Sequence, residues 1–487
     1  MAAGATLSVM YPTWEGMGLH STMFVAIIAS FHVIASHLTV GAAWFNFYVE
    51  RRAVREQRPE LYEYLRKSAL GLLVFSYVWG AMTGVGIWQS TTAGNPRGIS
   101  TLIHNFVLFW GSEWYMFLID VVGIIVYYYT LGKVDPKTHL RLALILALGG
   151  TGTLSLIVGI LGFKLSPGDW LHNGEILSGF YNPTFWPQYL MRFLLMQTIT
   201  GAWGVLMASR LPRDFPERQK VIRWAGTIGL VGMAGALLVG RYWYWANVPA
   251  RSKALLSTNA FPAVTVDLLI GGGILTAAFL LLASWKPQLQ SKLGAMALFI
   301  VMFSTVFGAE RTREILRKPD VVNGYMSSNQ LTFTGLPARG IESEEAKLNR
   351  DGVLGSLPFL PAADDIDSGP SPEYADHRVE VGRQIAIFEC SGCHSVSDQT
   401  VIHLGDNQLA LRQQSALLRK ISANDEVSIR AILDNLGAYP FMHAFVGTDE
   451  EKDALAAYLA ATVEEQQGPP TTLPAPEVTP VGGGHGG

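Results

Sequence analysis

The stretch IHNFVLFWGSEWYMFLIDVVGIIVYYYT, residues 103–130, decides how this chain is read. It runs for 28 residues with Glu113 and Asp120 as its only residues of fixed charge. At about 1.5 Å of rise per residue, such a helix is long enough to cross the roughly 30 Å hydrocarbon core of a bilayer. Seven further apolar segments of spanning length lie around it, at roughly 20–49, 68–92, 139–163, 185–209, 221–245, 262–285 and 290–309. The expected fold class is all-α: a polytopic transmembrane helical bundle of about eight spans, followed by a small all-α domain.

Composition agrees. Of 487 residues, 49% are hydrophobic and 15% charged, and mean hydropathy is +0.25. That charge content is low for a soluble enzyme. A formal net charge of -3 points to no polyanionic partner, and no nucleic-acid signature is present. Charge is concentrated in the last third of the chain, as expected of a membrane domain followed by a soluble one. Residues Met1–Gly18 lack a basic start followed by an apolar run, so the first span is expected to act as an uncleaved anchor, with Trp14 at headgroup level.

The loops set an expected orientation. The first carries Arg51, Arg52, Arg55, Arg58, Arg66 and Lys67, the third Lys133, Lys137 and Arg141, and the fifth Arg210, Arg213, Arg218, Lys220 and Arg223. The second has only Arg97. Basic loops stay on the cytoplasmic side, which puts both termini outside. Arg311, Arg313, Arg317 and Lys318 depart from this by following the last span on the outer side. They read equally as partners for anionic groups or as a solvated helix face.

Ionisable residues inside spans are costly and tend to be functional. His20, His32 and His37 belong to the first span, Glu113 and Asp120 to the third, Arg192 to the fifth, Arg241 to the sixth, Asp267 to the seventh and Glu310 to the end of the eighth. The spacing of seven between Glu113 and Asp120 sets them two turns apart on one helix face. The plainer reading of each is a hydrogen bond between helices or, for Arg192, a side chain reaching the interface.

The polar third contains Cys390-Ser391-Gly392-Cys393-His394, which holds both cysteines of the chain. A Cys-x-x-Cys-His run is the attachment signature of a c-type haem: each thiol adds to a vinyl group, and the histidine becomes the proximal iron ligand. About ninety residues around it resemble a class I cytochrome c. Tyr374–Glu389 reads as the helix leading into the motif, and Tyr439-Pro440-Phe441-Met442 resembles the loop carrying the distal methionine. Thr448 and Glu451 then form a capping box ahead of a helix with Ala454, Leu455, Tyr458 and Leu459 on its apolar face. The resemblance implies His394 and Met442 as iron ligands, with His443 and His403 as alternatives for the sixth position.

The membrane part resembles subunit I of the cytochrome bd quinol oxidases over residues 15–315. The first-helix motif is Phe31-His32-Val33-Ile34-Ala35-Ser36-His37-Leu38-Thr39-Val40-Gly41, and the glycine-rich second-helix motif is Gly80 to Gly86. The resemblance implies His32 and Glu310 as ligands of a pair of haems, and Glu113, with the more loosely matching Asp120, as a proton relay. Three departures stand out. Arg192 falls where the family has the histidine of its low-spin haem; arginine does not ligate iron, so that haem is either absent or held differently, with Met191 and Met196 nearby. The family's long quinol-binding loop is here only Asn247–Phe261. The family lacks the fused haem c.

Taken together, the expected domains are 1–318, a bd-like haem domain; 319–373, an extended connector; 374–466, a cytochrome c domain; and 467–487, a disordered Pro/Gly-rich tail. The expected cofactors are one covalent haem c and two non-covalent haems of b or d type, with Arg192 and Arg311 beside propionates. The implied activity is respiratory electron transfer, most concretely a cytochrome c-linked, bd-like oxygen reductase. The alternatives are a quinol-oxidising subunit that passes electrons out through haem c, and a haem c anchor of a larger complex. The expected location is the bacterial cytoplasmic membrane. Expected partners are lipid, a second bd-like subunit, a periplasmic cytochrome or other redox partner, and quinol.

Overall fold

A computed structural model describes residues 21–258, 261, 263–354, 372–394 and 425–465. Trp14, His20, His403 and the tail from 467 lie outside the described residues. Eight helices are long and apolar enough to cross a membrane: α1 (Ser21–Arg55), α2 (Leu61–Gly94), α3 (Pro96–Thr130), α4 (Pro136–Leu165), α5 (Phe185–Ser209), α6 (Arg218–Asn247), α7 (Ala263–Trp285) and α8 (Lys292–Ile315). The chain is thus an all-α, multi-pass membrane protein, as its apolar segments predict.

Several helices start before the apolar run does, for local reasons. Asn95 caps α3 by accepting a hydrogen bond from Gly98 N at 3.0 Å, with Pro96 in the first turn. Asp135 and Pro136 do the same for α4, and Ser291 caps α8. These pairings satisfy amide groups that a helix start leaves without partners. Within α2, residues Leu72–Val78 form a π-helical turn, and Gly240–Tyr244 form another in α6. Such turns accommodate one extra residue inside a helix.

Small residues set the closest crossings. A side chain at Gly201 would meet the backbone of Ala225 and Gly229 at 2.7 Å, so α5 and α6 pack backbone to backbone there. The buried core between the helices draws on Leu38, Phe45, Tyr64, Tyr127, Leu146 and Trp203, among others.

The loops gather by parity. At one end Arg58 binds Glu217 at 2.9 Å and Arg218 donates to Gln290 O at 2.7 Å, joining the first, fifth and seventh loops. At the other end Arg97 pairs with Glu344, while Arg339 donates to Gly174 O and Asn105 Oδ1. The region read as an extended connector begins at this second end. Its described part carries a two-stranded hairpin, β1 (Asp320–Val322) and β2 (Met326–Ser327), and helix α9 (Glu344–Asp351). It is folded because Val321, Val322, Tyr325, Met326 and Leu336 bury against Trp170, Phe163 and Phe180 of the bundle. The turn-rich composition that reads as linker supplies the tight hairpin.

Beyond it, α10 (Pro372–Cys390), α11 (Glu426–Asp434) and α12 (Asp449–Glu465) enclose a second core of Val381, Ile385, Ile429, Leu433, Ala454 and Leu455. A side chain at Gly382 would overlap Ala454 O, so α10 and α12 cross at the closest possible approach.

Candidate functional site

His32 lies on α1, half-buried against the glycine-rich part of α2. Its Nδ1 donates to Gly80 O at 3.0 Å and lies 3.3 Å from Thr83 Oγ1. This fixes the tautomer and leaves Nε2 as the lone-pair nitrogen, the arrangement usual for a metal-ligating histidine. A Cβ at Gly84 would sit 3.2 Å from His32 Cε1, so glycine there keeps the space beside the ring open.

One and a half turns on, His37 is buried and its Nε2 accepts from Arg192 Nη1 at 3.2 Å. Arg192 Nη2 lies 3.8 Å from Glu310 Oε1, and Arg313 Nε donates to Glu310 Oε2 at 2.6 Å. Arg192 Nε is buried without a partner. Arg317 and Glu314 extend the cluster toward the end of α8. His37, Arg192, Glu310 and Arg313 thus form one buried group joining α1, α5 and α8. Sequence reading names Arg192 and Glu310 but does not join them, since nothing in the sequence pairs the fifth span with the eighth. Arg311, on the next position of α8, is half-buried.

Glu113 and Asp120 share one face of α3 as the spacing predicts. Asp120 is buried and rests in a notch made by Gly149 and Gly150 of α4, where a Cβ would come 3.0 Å from its Oδ1. Glu113 is half-buried, and its neighbours Trp114, Tyr115, Phe117 and Leu118 are exposed.

The Cys-x-x-Cys-His run is a turn at the end of α10: Cys393 N and His394 N both donate to Cys390 O, at 3.0 and 2.8 Å. His394 is buried and both thiols are half-buried. Burial pushes the Cys390 thiol far above its ordinary value, which keeps it neutral. Met442 is half-buried on the loop before α12. Beside it, both ring nitrogens of His443 face backbone carbonyls, Ala444 O at 2.9 Å and Glu389 O at 3.1 Å.

This turn is seated on the hairpin that follows α8. Lys318 Nζ reaches Cys393 Sγ at 3.2 Å and Gly392 O at 3.5 Å. A Cβ at Gly392 would overlap Ser328 O, and Asn329 Nδ2 donates to Glu389 Oε2 at 2.9 Å. Asn329 and Glu389 are both buried, and burial raises the Glu389 carboxyl to about 8. Sequence reading misses this clasp because its halves lie 60 residues apart.

Among the described residues, no group of three or more His, Cys, Asp and Glu side chains gathers into a metal site. Haem asks for less, one or two axial side chains at a time. No protein-family model matches the chain, and no curated protein matches it. Over about two thirds of its length its fold is similar to that of a bd oxidase chain. A chain in the structure of bd oxidase from Geobacillus thermodenitrificans matches with a TM-score of 0.51, over 69% of this chain and 93% of that one. Sequence identity is 16%, so the likeness is one of fold. It accords with the bd-like reading of the membrane bundle.

Proposed function

We propose that the chain is a respiratory membrane electron-transfer subunit, a cytochrome c-linked, bd-like oxygen reductase with its haem c fused to the outer end of the bundle. The observation that carries this reading is the seat of the Cys390–His394 turn on the hairpin after α8. Lys318, which touches that turn, lies three residues beyond Ile315, the end of the helix that carries Glu310. A short turn therefore joins the thiol pair to the helix that holds the buried cluster of the bundle.

The residues present fit the groups the reading requires. Cys390 and Cys393 offer two thiols on one turn, His394 is buried behind them, and Met442 rather than the doubly occupied His443 is free to complete an axial pair. In the bundle, the pinned Nδ1 of His32 leaves Nε2 for iron, and Gly84 leaves room beside it. Glu310 is the second axial side chain, and Arg313 holds its carboxylate in place. Arg192 and Arg311 are cations for propionates. The His37–Arg192 hydrogen bond favours two bundle haems over three, because it occupies the place of the low-spin ligand. When bound, haems supply one-electron transfer and oxygen chemistry.

The chain's own work is to hold and to deliver. Lys318 and Asn329 fix the outer module against the bundle, and Arg192 and Arg313 hold a carboxylate at one geometry. Glu113 and Asp120 are the proton-carrying acids. The basic, odd-numbered loops are assigned to the cytoplasm and the haem c module to the outer face of a bacterial cytoplasmic membrane. The domain limits proposed are 1–318 for the bundle, 319–373 for the joining segment and 374–466 for the cytochrome c module. The exposed aromatic face around Glu113 fits lipid or a second bd-like subunit. The electron donor is a periplasmic cytochrome; the fifteen-residue loop 247–261 speaks against quinol at that place.

A pyridine haemochrome spectrum scaled to protein concentration tests the reading. One covalent haem c with two non-covalent haems is expected, together with oxygen uptake from reduced cytochrome c. Haem c alone would reduce the bundle to an anchor. Anaerobic reduction of haem c by quinol, without oxygen uptake, would reverse the direction of flow.

A further inference from the structure

At the end of the bundle opposite the haem c module, α1 and α4 carry a buried acid–base pair that the reading above leaves unused. His139 Nδ1 lies 2.6 Å from Glu50 Oε1, and its Nε2 donates to Tyr127 O at 3.0 Å. Both side chains are almost fully buried. Since Nε2 must carry a hydrogen, the contact with Glu50 is a single shared proton, resting on either the carboxyl oxygen or the imidazole.

From this pair a file of polar groups runs along the bundle. On α1 it comprises Glu50, Asn46, Thr39 and His32, at intervals of four, seven and seven, which is one helix face. Each of the last three meets a hydroxyl of the antiparallel α2. Ser68 Oγ donates to Asn46 Oδ1 at 2.9 Å, Thr39 Oγ1 and Ser76 Oγ are 2.6 Å apart, and Thr83 Oγ1 is 3.3 Å from His32 Nδ1. On α2 the intervals are eight and seven. The eight spans the π-helical turn Leu72–Val78, whose extra residue keeps Ser76 and Thr83 in line with Thr39 and His32. Along α3, Tyr127, Asp120 and Glu113 recur at intervals of seven.

Buried polar atoms short of a well-formed hydrogen bond cluster beside this file. Near the pair, Tyr127 OH faces Glu50 and Tyr64 OH faces Ser68; further along, Asp120 faces Thr153, and Tyr77 OH is left over. A buried polar atom with no protein partner is ordinarily satisfied by ordered water. Adjacent rungs of the file lie about 10 Å apart along α1, which calls for water between them.

We propose that the Glu50–His139 pair is the proton entrance of the bundle, and that water along the Asn46–Ser68 and Thr39–Ser76 rungs carries protons from it toward Asp120 and Glu113. Each hop breaks one O–H or N–H bond and forms another, so atoms balance and no electrons travel this route. One proton delivered matches each electron that reaches oxygen. The role given to the protons rests on the proposed oxygen reduction; the water file stands apart from it.

Two measurements on the full-length protein separate these. X-ray radiolytic labelling marks side chains beside bound water, whatever the haem content. Tyr64, Tyr77 and Tyr127 are expected to take up label despite their burial, while Phe163 in its aromatic cluster does not. Unlabelled tyrosines would overturn the water file. In the second, Glu50→Gln and Thr39→Val are expected to keep the wild-type haemochrome spectrum, slow oxygen reduction about tenfold and raise the solvent deuterium isotope effect. Wild-type rate and isotope effect in both variants would overturn the entrance. Labelled tyrosines in a protein with haem c alone would sink the oxygen reductase while leaving the file in place.

Discussion

The two ends of the bundle bury polar groups in opposite ways. Toward the Cys390–His394 turn, Glu310 is clasped by Arg313 at 2.6 Å and approached by Arg192, which also hydrogen-bonds His37. Fixed charges dominate there, with cations in excess. At the basic-loop end, one acid and one histidine share a proton, and tyrosine, serine, threonine and asparagine follow, with several lone pairs left over. Charges locked in pairs hold positions and anions; neutral hydroxyls with spare lone pairs hold water and pass protons. On the function proposed above, electrons and protons reach the centre of the bundle from opposite ends.

The sharpest way to break this contrast is to cut the outer clasp. Glu310→Ala leaves Arg313 and Arg192 buried with no anion between them, and should cost about 3–5 kcal/mol in thermal unfolding of the detergent-solubilised protein. A loss near zero would mean that the outer cluster is wet and that the two ends do not differ.

Cutting the inner pair should cost less. His139→Ala leaves Glu50 and Tyr127 O short of one donor each, a loss of about 1–3 kcal/mol if water fills the gap only in part. Water already in the file would soften that further. A loss as large as at Glu310 would mark the inner pair as a locked ion bridge instead.

Gly149→Ala tests the middle. The added methyl pushes on Ile119 Cγ2 from 2.9 Å and on Asp120 Oδ1 from 3.0 Å, so a modest destabilisation of about 1–3 kcal/mol is expected. It should come with a shift of the Asp120 carboxyl band in the infrared difference spectrum. An unshifted band would show that Asp120 is not held in that notch.

The smallest effect concerns the joint made by Asn329 and Glu389. Burial raises the Glu389 carboxyl from 4.5 to about 8. The unfolded chain releases this proton near 4.5 and the folded one near 8, so the clasp is strongest below 4.5 and weakens as pH rises toward 8. Glu389→Gln should flatten that slope in the unfolding temperature of the outer module. A wild-type slope in the variant would place the pH dependence elsewhere.

Much of this was legible in the chain alone. Eight apolar runs at spanning length predict eight helices, because a bilayer leaves a chain no other way to pair its backbone within one segment. The seven-residue spacing of Glu113 and Asp120 puts both on one face, since helix period is a local property. The Cys-x-x-Cys-His turn follows from five consecutive residues. Glu50 and His139 do not stand out in the sequence, for a local reason: Glu50 sits beside Arg51 and Arg52 and reads as loop charge, and His139 stands at the edge of its span.

Tertiary structure decided what distance along the chain conceals. His37, Arg192 and Glu310 come from three helices, and only packing makes them one cluster. Asn329 meets Glu389 across 60 residues, turning a stretch that reads as linker into a seat. The π-helical turn in α2 keeps Ser76 and Thr83 opposite Thr39 and His32, a register that exists only between two helices. Composition and period fix each helix, because they act through the backbone's own hydrogen bonds. Partnership between side chains depends on which faces meet, and that is settled by close packing of the whole bundle.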